Sequence, residues 1–218
     1  MSVAAQLSQR IHGVDVFAGF VPTFAEDMQG WNSRAGIFSE IISSARSQVV
    51  IDVGVWKGAS TIYLAQLLRE HGIDGAVIAV DTFLGSPEHW ITGTAEFDLI
   101  PRRHGIPLLY EQFLSNVVRN QVRDLIVPFA QTSQNAALIL RRQGISADLV
   151  HIDAAHDYES VLHDARAYWD ILAPNGFLLG DDYHVTWPGV VAGANQFAKE
   201  VGVKLEVSMP KWIVRKPG

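Results

Sequence analysis

This chain of 218 residues contains no cysteine. Disulfides, thiolate metal sites and a cysteine nucleophile are therefore excluded. It also lacks any run of lysine or arginine: 17 basic residues stand against 23 acidic ones, for a formal net charge of −6. Nonspecific nucleic-acid binding depends on clustered cations at phosphates, so that class is disfavoured. No uninterrupted apolar stretch approaches the roughly 20 residues that a membrane-spanning helix needs, so no membrane partner is expected. The opening residues, Met1 to Arg10, lack a charged segment followed by an apolar one; no signal peptide is expected, and the cytoplasm is the expected location. Repeats, low-complexity tracts and interdomain linkers are missing too. With 48% hydrophobic and 18% charged residues, the chain reads as one globular domain.

What is present is a set of four short apolar runs, each ending in aspartate. They are Val49–Asp52, Ala76–Asp81, Leu149–Asp153 and Phe177–Asp182. Short, β-branched and without alternation, such runs read as strands buried on both faces of a parallel sheet. Helical spacing flanks and separates them, at Ile37 to Ala45, Ser60 to Glu70, 108–120, 135–142, 158–172 and 189–200, with a further strand expected near 125–129. Two closing strands are expected at 203–207 and 212–215. The alternation predicts a single doubly wound, Rossmann-like α/β sheet with helices on both faces. Residues 1–34 read as an irregular arm covering a domain of residues 35–218. The Gly- and Pro-punctuated stretch at about 82–107 reads as a lid.

In such a sheet the carboxyl ends of the strands open onto one ligand crevice. The first turn reads Asp52-Val53-Gly54-Val55-Trp56-Lys57-Gly58-Ala59-Ser60. A dinucleotide fingerprint needs glycine where Trp56 stands, so that backbone can approach a pyrophosphate. A P-loop needs Ser or Thr directly after Gly-Lys, and Lys57-Gly58-Ala59 does not supply it. A ligand with an amino-acid end fits better, its carboxylate held by helix amides and Ser60, with Asp81 on ribose hydroxyls. S-adenosylmethionine has both groups.

Asp52-x-Gly54-x-x-x-Gly58-x-Ser60 resembles the first motif of class I S-adenosylmethionine-dependent methyltransferases. It is most similar to the metal-dependent O-methyltransferases, where an aromatic residue commonly takes the place of Trp56. Asp81-Thr82-Phe83-Leu84-Gly85-Ser86-Pro87 resembles the macrocin O-methyltransferase-like branch (methyltransferase family 24) and its cephalosporin-biosynthesis relatives. The similarity covers most of residues 35–215 and implies a mostly parallel, seven-stranded sheet. It implies that Asp52, Gly54, Trp56, Gly58 and Ser60 shape and line the methionine end, and Asp81 the ribose. Ser133-Gln134 resembles the adenine-side Ser-Gln of catechol O-methyltransferase.

Asp153 and the Asp181-Asp182 pair fall on strands expected to be adjacent. Three carboxylates together repel and raise one another's pKa unless a cation joins them. Oxygen ligands without cysteine favour Mg²⁺, with Mn²⁺ or Ca²⁺ as alternatives, over Zn²⁺. The resemblance implies the same three ligands. It also places a base at His156, where some macrolide sugar methyltransferases carry histidine; a neutral imidazole there can accept the acceptor hydroxyl's proton. Asp157 is the competing base, and His151 reads as a core histidine. His89 and Trp90 in the lid, and Tyr183 and His184 after the pair, can touch substrate or merely pack.

The expectation is a metal-assisted O-methyltransferase in which Asp153 and His156 are catalytic, acting on a hydroxyl of a sugar or small natural product. Rival readings are a nicotinamide dehydrogenase, a cephalosporin-hydroxylase-like relative, and a non-catalytic cofactor-binding or scaffold protein. Homodimerisation through the apolar arm is an open expectation.

Overall fold

The computed structural model describes residues 1–218. The chain opens with α1 (Val3–His12), where the sequence predicts only an irregular arm. Ser2 caps this helix by accepting from the Ala5 amide at 3.3 Å. Its apolar signal is faint because only Ala4 and Leu7 are buried. The arm then crosses to α2 (Gly36–Ala45), followed by β1 (Val49–Val53), α3 (Ala59–Glu70) and β2 (Ala76–Asp81). The expected lid contains a 3-10 turn at Pro87–Trp90, a short α4 (Ala95–Asp98), and a ribbon of β3 (Arg102–Arg103) and β4 (Ile106–Pro107). Arg102 pins it internally, donating to the carbonyls of Phe97 at 2.7 Å and Ile100 at 2.8 Å.

The remainder alternates as the sequence predicts: α5 (Leu109–Arg119), β5 (Ile126–Ala130), α6 (Ser133–Arg142), β6 (Ala147–Ile152), α7 (Tyr158–Ile171), β7 (Leu172–Gly180) and α8 (Pro188–Val201). A hairpin of β8 (Glu206–Ser208) and β9 (Lys211–Arg215) closes the chain.

Seven strands form one sheet in the order β5-β2-β1-β6-β7-β9-β8. The first five pair in parallel and β9 runs antiparallel to both its neighbours. Strand order reverses between β1 and β6, and ligands bind at such switch points. Alternation along each strand sorts side chains to two cores. Ile51, Val53, Val150 and Ile152 pack toward α1, α6, α7 and α8. Val50, Leu149, Leu179 and Ile213 pack toward α2, α3 and α5. No helix is long and apolar enough to cross a membrane.

Candidate active site

The β1–α3 turn is built by glycine and by a carboxylate. Gly54 has φ +82°, and a Cβ there would stand 1.8 Å from the Asp153 carbonyl oxygen. The ends of β1 and β6 therefore touch backbone to backbone, leaving the crevice mouth open. Asp81, at the end of β2, reaches across it. Its Oδ2 accepts from the Trp56 amide at 2.9 Å and its Oδ1 from the Phe83 amide at 2.7 Å. Enclosure raises its pKa, against the lowering pull of those backbone bonds. A carboxylate oxygen has more than one lone pair, so each can accept a further hydroxyl.

Two residues of the turn act differently from the expectation. Asp52 is fully buried and cannot touch a ligand. It accepts from Ser60 Oγ at 2.8 Å, Thr61 Oγ1 at 2.5 Å and His151 Nδ1 at 2.7 Å, and so braces the turn from beneath. Ser60 spends its hydroxyl proton on that bond, which leaves its oxygen only as an acceptor.

The arm straps this turn. Trp56 Nε1 donates to Gln29 Oε1 at 2.8 Å, and the indole lies against His89 of the lid with ring centroids 4.5 Å apart. Lys57, buried with 3% of its side chain exposed, pairs with Asp27 at 2.6 Å. Asn116 of α5 donates to the carbonyls of both Asp27 and Lys57, at 2.7 Å each. Nothing in the sequence marks Gln29, Asp27 or Asn116, because their partners are distant along the chain.

At the ends of β6 and β7, Asp153, His156 and Asp182 bring their donor atoms within 4.8 Å of one another. His156 Nε2 lies 2.8 Å from Asp182 Oδ2, and its ring stacks on Trp187 at 4.1 Å. The hydrogen bond to Asp182 raises the His156 pKa, against the opposing effect of burial. Burial, then the carboxylate of Asp181, holds Asp153 up at about 8, with Lys211 opposing and Asp182 adding to the rise. Carboxylates crowded in this way resist ionising together without a further positive charge, which a divalent cation would supply.

The expected three-aspartate ligand set is not assembled. Asp181 faces down into the protein, 5% exposed. Its Oδ2 accepts from Lys211 at 2.6 Å and its Oδ1 from the Asp182 amide at 2.8 Å. His156 stands in its place.

The adenine-side expectation also changes. Ser133 donates its hydroxyl to Asp164 at 2.7 Å, in the α6–α7 contact, and its carbonyl accepts from Tyr168 at 3.1 Å. That points the side chain away from the crevice; Gln134 beside it is exposed. Asp157 caps α7 through the Ser160 amide at 3.0 Å, and hydrogen bonds with Ser160 lower its pKa. It is therefore a poor base. Trp90 donates to the Leu84 carbonyl, Tyr183 accepts from Asn195, and His184 pairs with Thr186, all as local packing. Trp187, unmarked in the sequence, is the aromatic that meets the candidate base.

A cavity of about 580 Å³ opens beside the site, between Met28 to Gly36 of the arm and α2, Ala59 of α3, and the turn Ser208-Met209-Pro210. The Pro210 carbonyl accepts from the Tyr183 amide at 2.7 Å, which joins this cavity to the Asp182 loop.

Known proteins place this architecture. The O-methyltransferase NovP superposes with a TM-score of 0.59 at 17% identity, over 84% of this chain and 77% of that one. An O-methyltransferase from Bacillus cereus, in complex with SAH, gives 0.57 at 14% identity, over 97% and 91%. TomG from Streptomyces achromogenes, an O-methyltransferase of tomaymycin synthesis in complex with SAM, gives 0.60 at 15% identity, over 97% and 99%. These likenesses establish the fold. No curated protein matches the sequence. A family model described as a methyltransferase domain matches residues 51–183, more than half of the chain and the whole span from the cofactor turn to the Asp182 loop. The chain belongs to this methyltransferase family.

Proposed function

We propose that the protein is an S-adenosylmethionine-dependent O-methyltransferase, assisted by a divalent cation and acting on a hydroxyl of a sugar or small natural product. The observation that carries the reading is the juxtaposition of two half-sites across β1 and β6. The Gly54–Asp81 crevice lies on one side, and the Asp153–His156–Asp182 cluster on the other. S-adenosylmethionine would supply an electrophilic methyl group, and the cation would acidify and orient the hydroxyl.

The chain's own residues supply position. Asp81 fits ribose hydroxyls, and Gly54 lets the ligand approach the backbone. Asp153, His156 and Asp182 offer two carboxylates and one imidazole to a cation. The strap from Asp27 and Gln29 holds the turn against α5. Methyl transfer is an in-line displacement, so fixed alignment and excluded water contribute most of the rate.

A second reading needs no cation. The 2.8 Å contact between His156 and Asp182, with the raised imidazole pKa, is also that of an oriented base that takes the hydroxyl proton directly. The same Nε2 cannot both bind a cation and accept a proton.

The test is transfer of labelled methyl from S-adenosylmethionine to a panel of sugars, phenols and natural-product alcohols, with Mg²⁺ or Mn²⁺ or with EDTA. Asp153→Ala and Asp182→Ala are expected to lower turnover by about a hundredfold or more. Full activity in EDTA favours the metal-free base. Binding of NAD and not of S-adenosylmethionine overturns the whole reading.

A further inference from the structure

Lys211 begins β9, and its side chain is completely buried. Its ammonium donates to Asp181 Oδ2 at 2.6 Å and lies 3.1 Å from His151 Nε2, with the Phe38 ring centroid 5.0 Å away. An ammonium has only protons to give, so His151 Nε2 accepts. The imidazole proton is therefore on Nδ1, donated to Asp52 Oδ1 at 2.7 Å. Asp52, His151, Lys211 and Asp181 thus form one buried row beneath the crevice, running from the cofactor turn to the acidic cluster.

Sheet geometry explains the row. Asp52 pairs in register with His151, His151 with Leu179, and Leu179 with Ile213. Asp181 and Lys211 each lie two residues beyond Leu179 and Ile213. A period of two returns both to the same face, the one covered by α2. Asp182, one residue on, leaves the strand at φ +58° and joins Asp153 and His156 instead.

We propose that Lys211 is a built-in cation that keeps Asp181 out of the metal-binding set, so that the divalent ion is held by Asp153, His156 and Asp182. This rests on the metal-assisted reading of the site. Two consequences follow from the donor chemistry. The fixed positive charge weakens the hold on any cation nearby. The imidazole moves the preference from Mg²⁺, which demands oxygen, toward Mn²⁺ and the later divalent ions.

The experiment is titration of the full-length protein with Mn²⁺, followed by calorimetry and by electron paramagnetic resonance. Lys211→Met is expected to bind Mn²⁺ at least about tenfold more tightly, since a like charge leaves and a carboxylate is freed. The double variant Lys211→Met with Asp181→Asn is expected to return to within about threefold of the wild type, because the freed carboxylate is gone. Nitrogen hyperfine coupling is expected on wild-type-bound Mn²⁺ and is expected to vanish in His156→Ala. Unchanged or weaker binding by Lys211→Met overturns the proposal. Should that variant not fold, Asp181→Asn against Asp182→Asn decides. The first is expected to retain binding within about tenfold and the second to lose it, and equal loss overturns the proposal.

If the wild type binds no Mn²⁺ but Lys211→Met does, the role of Lys211 stands and the metal-assisted reading falls. If neither binds, both fall.

Discussion

Gly54 carries a hydrogen where any other residue has Cβ, and that hydrogen lets β1 meet β6. Substitution by alanine forces a Cβ to within 1.8 Å of the Asp153 carbonyl oxygen, at a backbone φ of +82°. The left-handed conformation alone costs about 1–3 kcal/mol for a non-glycine residue. The clash with backbone adds to it. Gly54→Ala is therefore expected to lose S-adenosylhomocysteine binding in calorimetry, and wild-type affinity in that variant would remove Gly54 from the cofactor site. At the same scale, Asp181 and Asp182 show how far neighbours can diverge. They read as a pair along the chain, but Asp181 keeps the pleat of the strand and meets Lys211, whereas Asp182 turns at φ +58° and meets His156.

The strap over the β1–α3 turn is a property of elements, since it ties the arm to α3 and α5 at once. Asp27→Ala leaves the buried Lys57 ammonium without its carboxylate. An unpaired buried donor costs about 1–3 kcal/mol. A fall of that size in urea unfolding is expected, with a smaller loss for Asp27→Asn, which keeps an acceptor for the ammonium. No change in either variant would mean that the Asp27–Lys57 pair contributes nothing to stability. The strands and most helices are legible in the sequence, because uninterrupted apolar runs and helical spacing report burial directly. Gly54 and Asp81 are legible because turn chemistry is local. By contrast α1, with only Ala4 and Leu7 buried, gives little periodic signal. Lys211 is invisible for a different reason: only the antiparallel insertion of β9 beside β7 brings it under Asp181, and nothing between Met209 and Arg215 announces that pairing. Trp187 likewise becomes meaningful only when the loop folds back on His156.

For the whole molecule, the crevice acids make stability depend on pH in a defined direction. Asp153 is held at about 8, above its ordinary 3.8, and Asp81 is raised as well. The folded state therefore binds more protons than the unfolded chain between these limits. The stabilisation from Asp153 is full below the unfolded value near 3.8 and is lost as pH rises through about 8, and Asp81 acts in the same direction. The metal-free protein is expected to melt at a lower temperature at pH 8 than at pH 6, and Mn²⁺ to raise the melting temperature more at pH 8 than at pH 6. Equal metal stabilisation at both pH values would contradict a cation among these acids. The β8–β9 turn carries a consequence of another kind. Ser208, Met209 and Pro210 wall the 580 Å³ cavity, and the next residue is Lys211. One short stretch of chain thus both walls the cavity and anchors the charge beneath the acids. Lengthening or shortening this turn is therefore expected to reshape the cavity wall and to move the ammonium away from Asp181 in the same step.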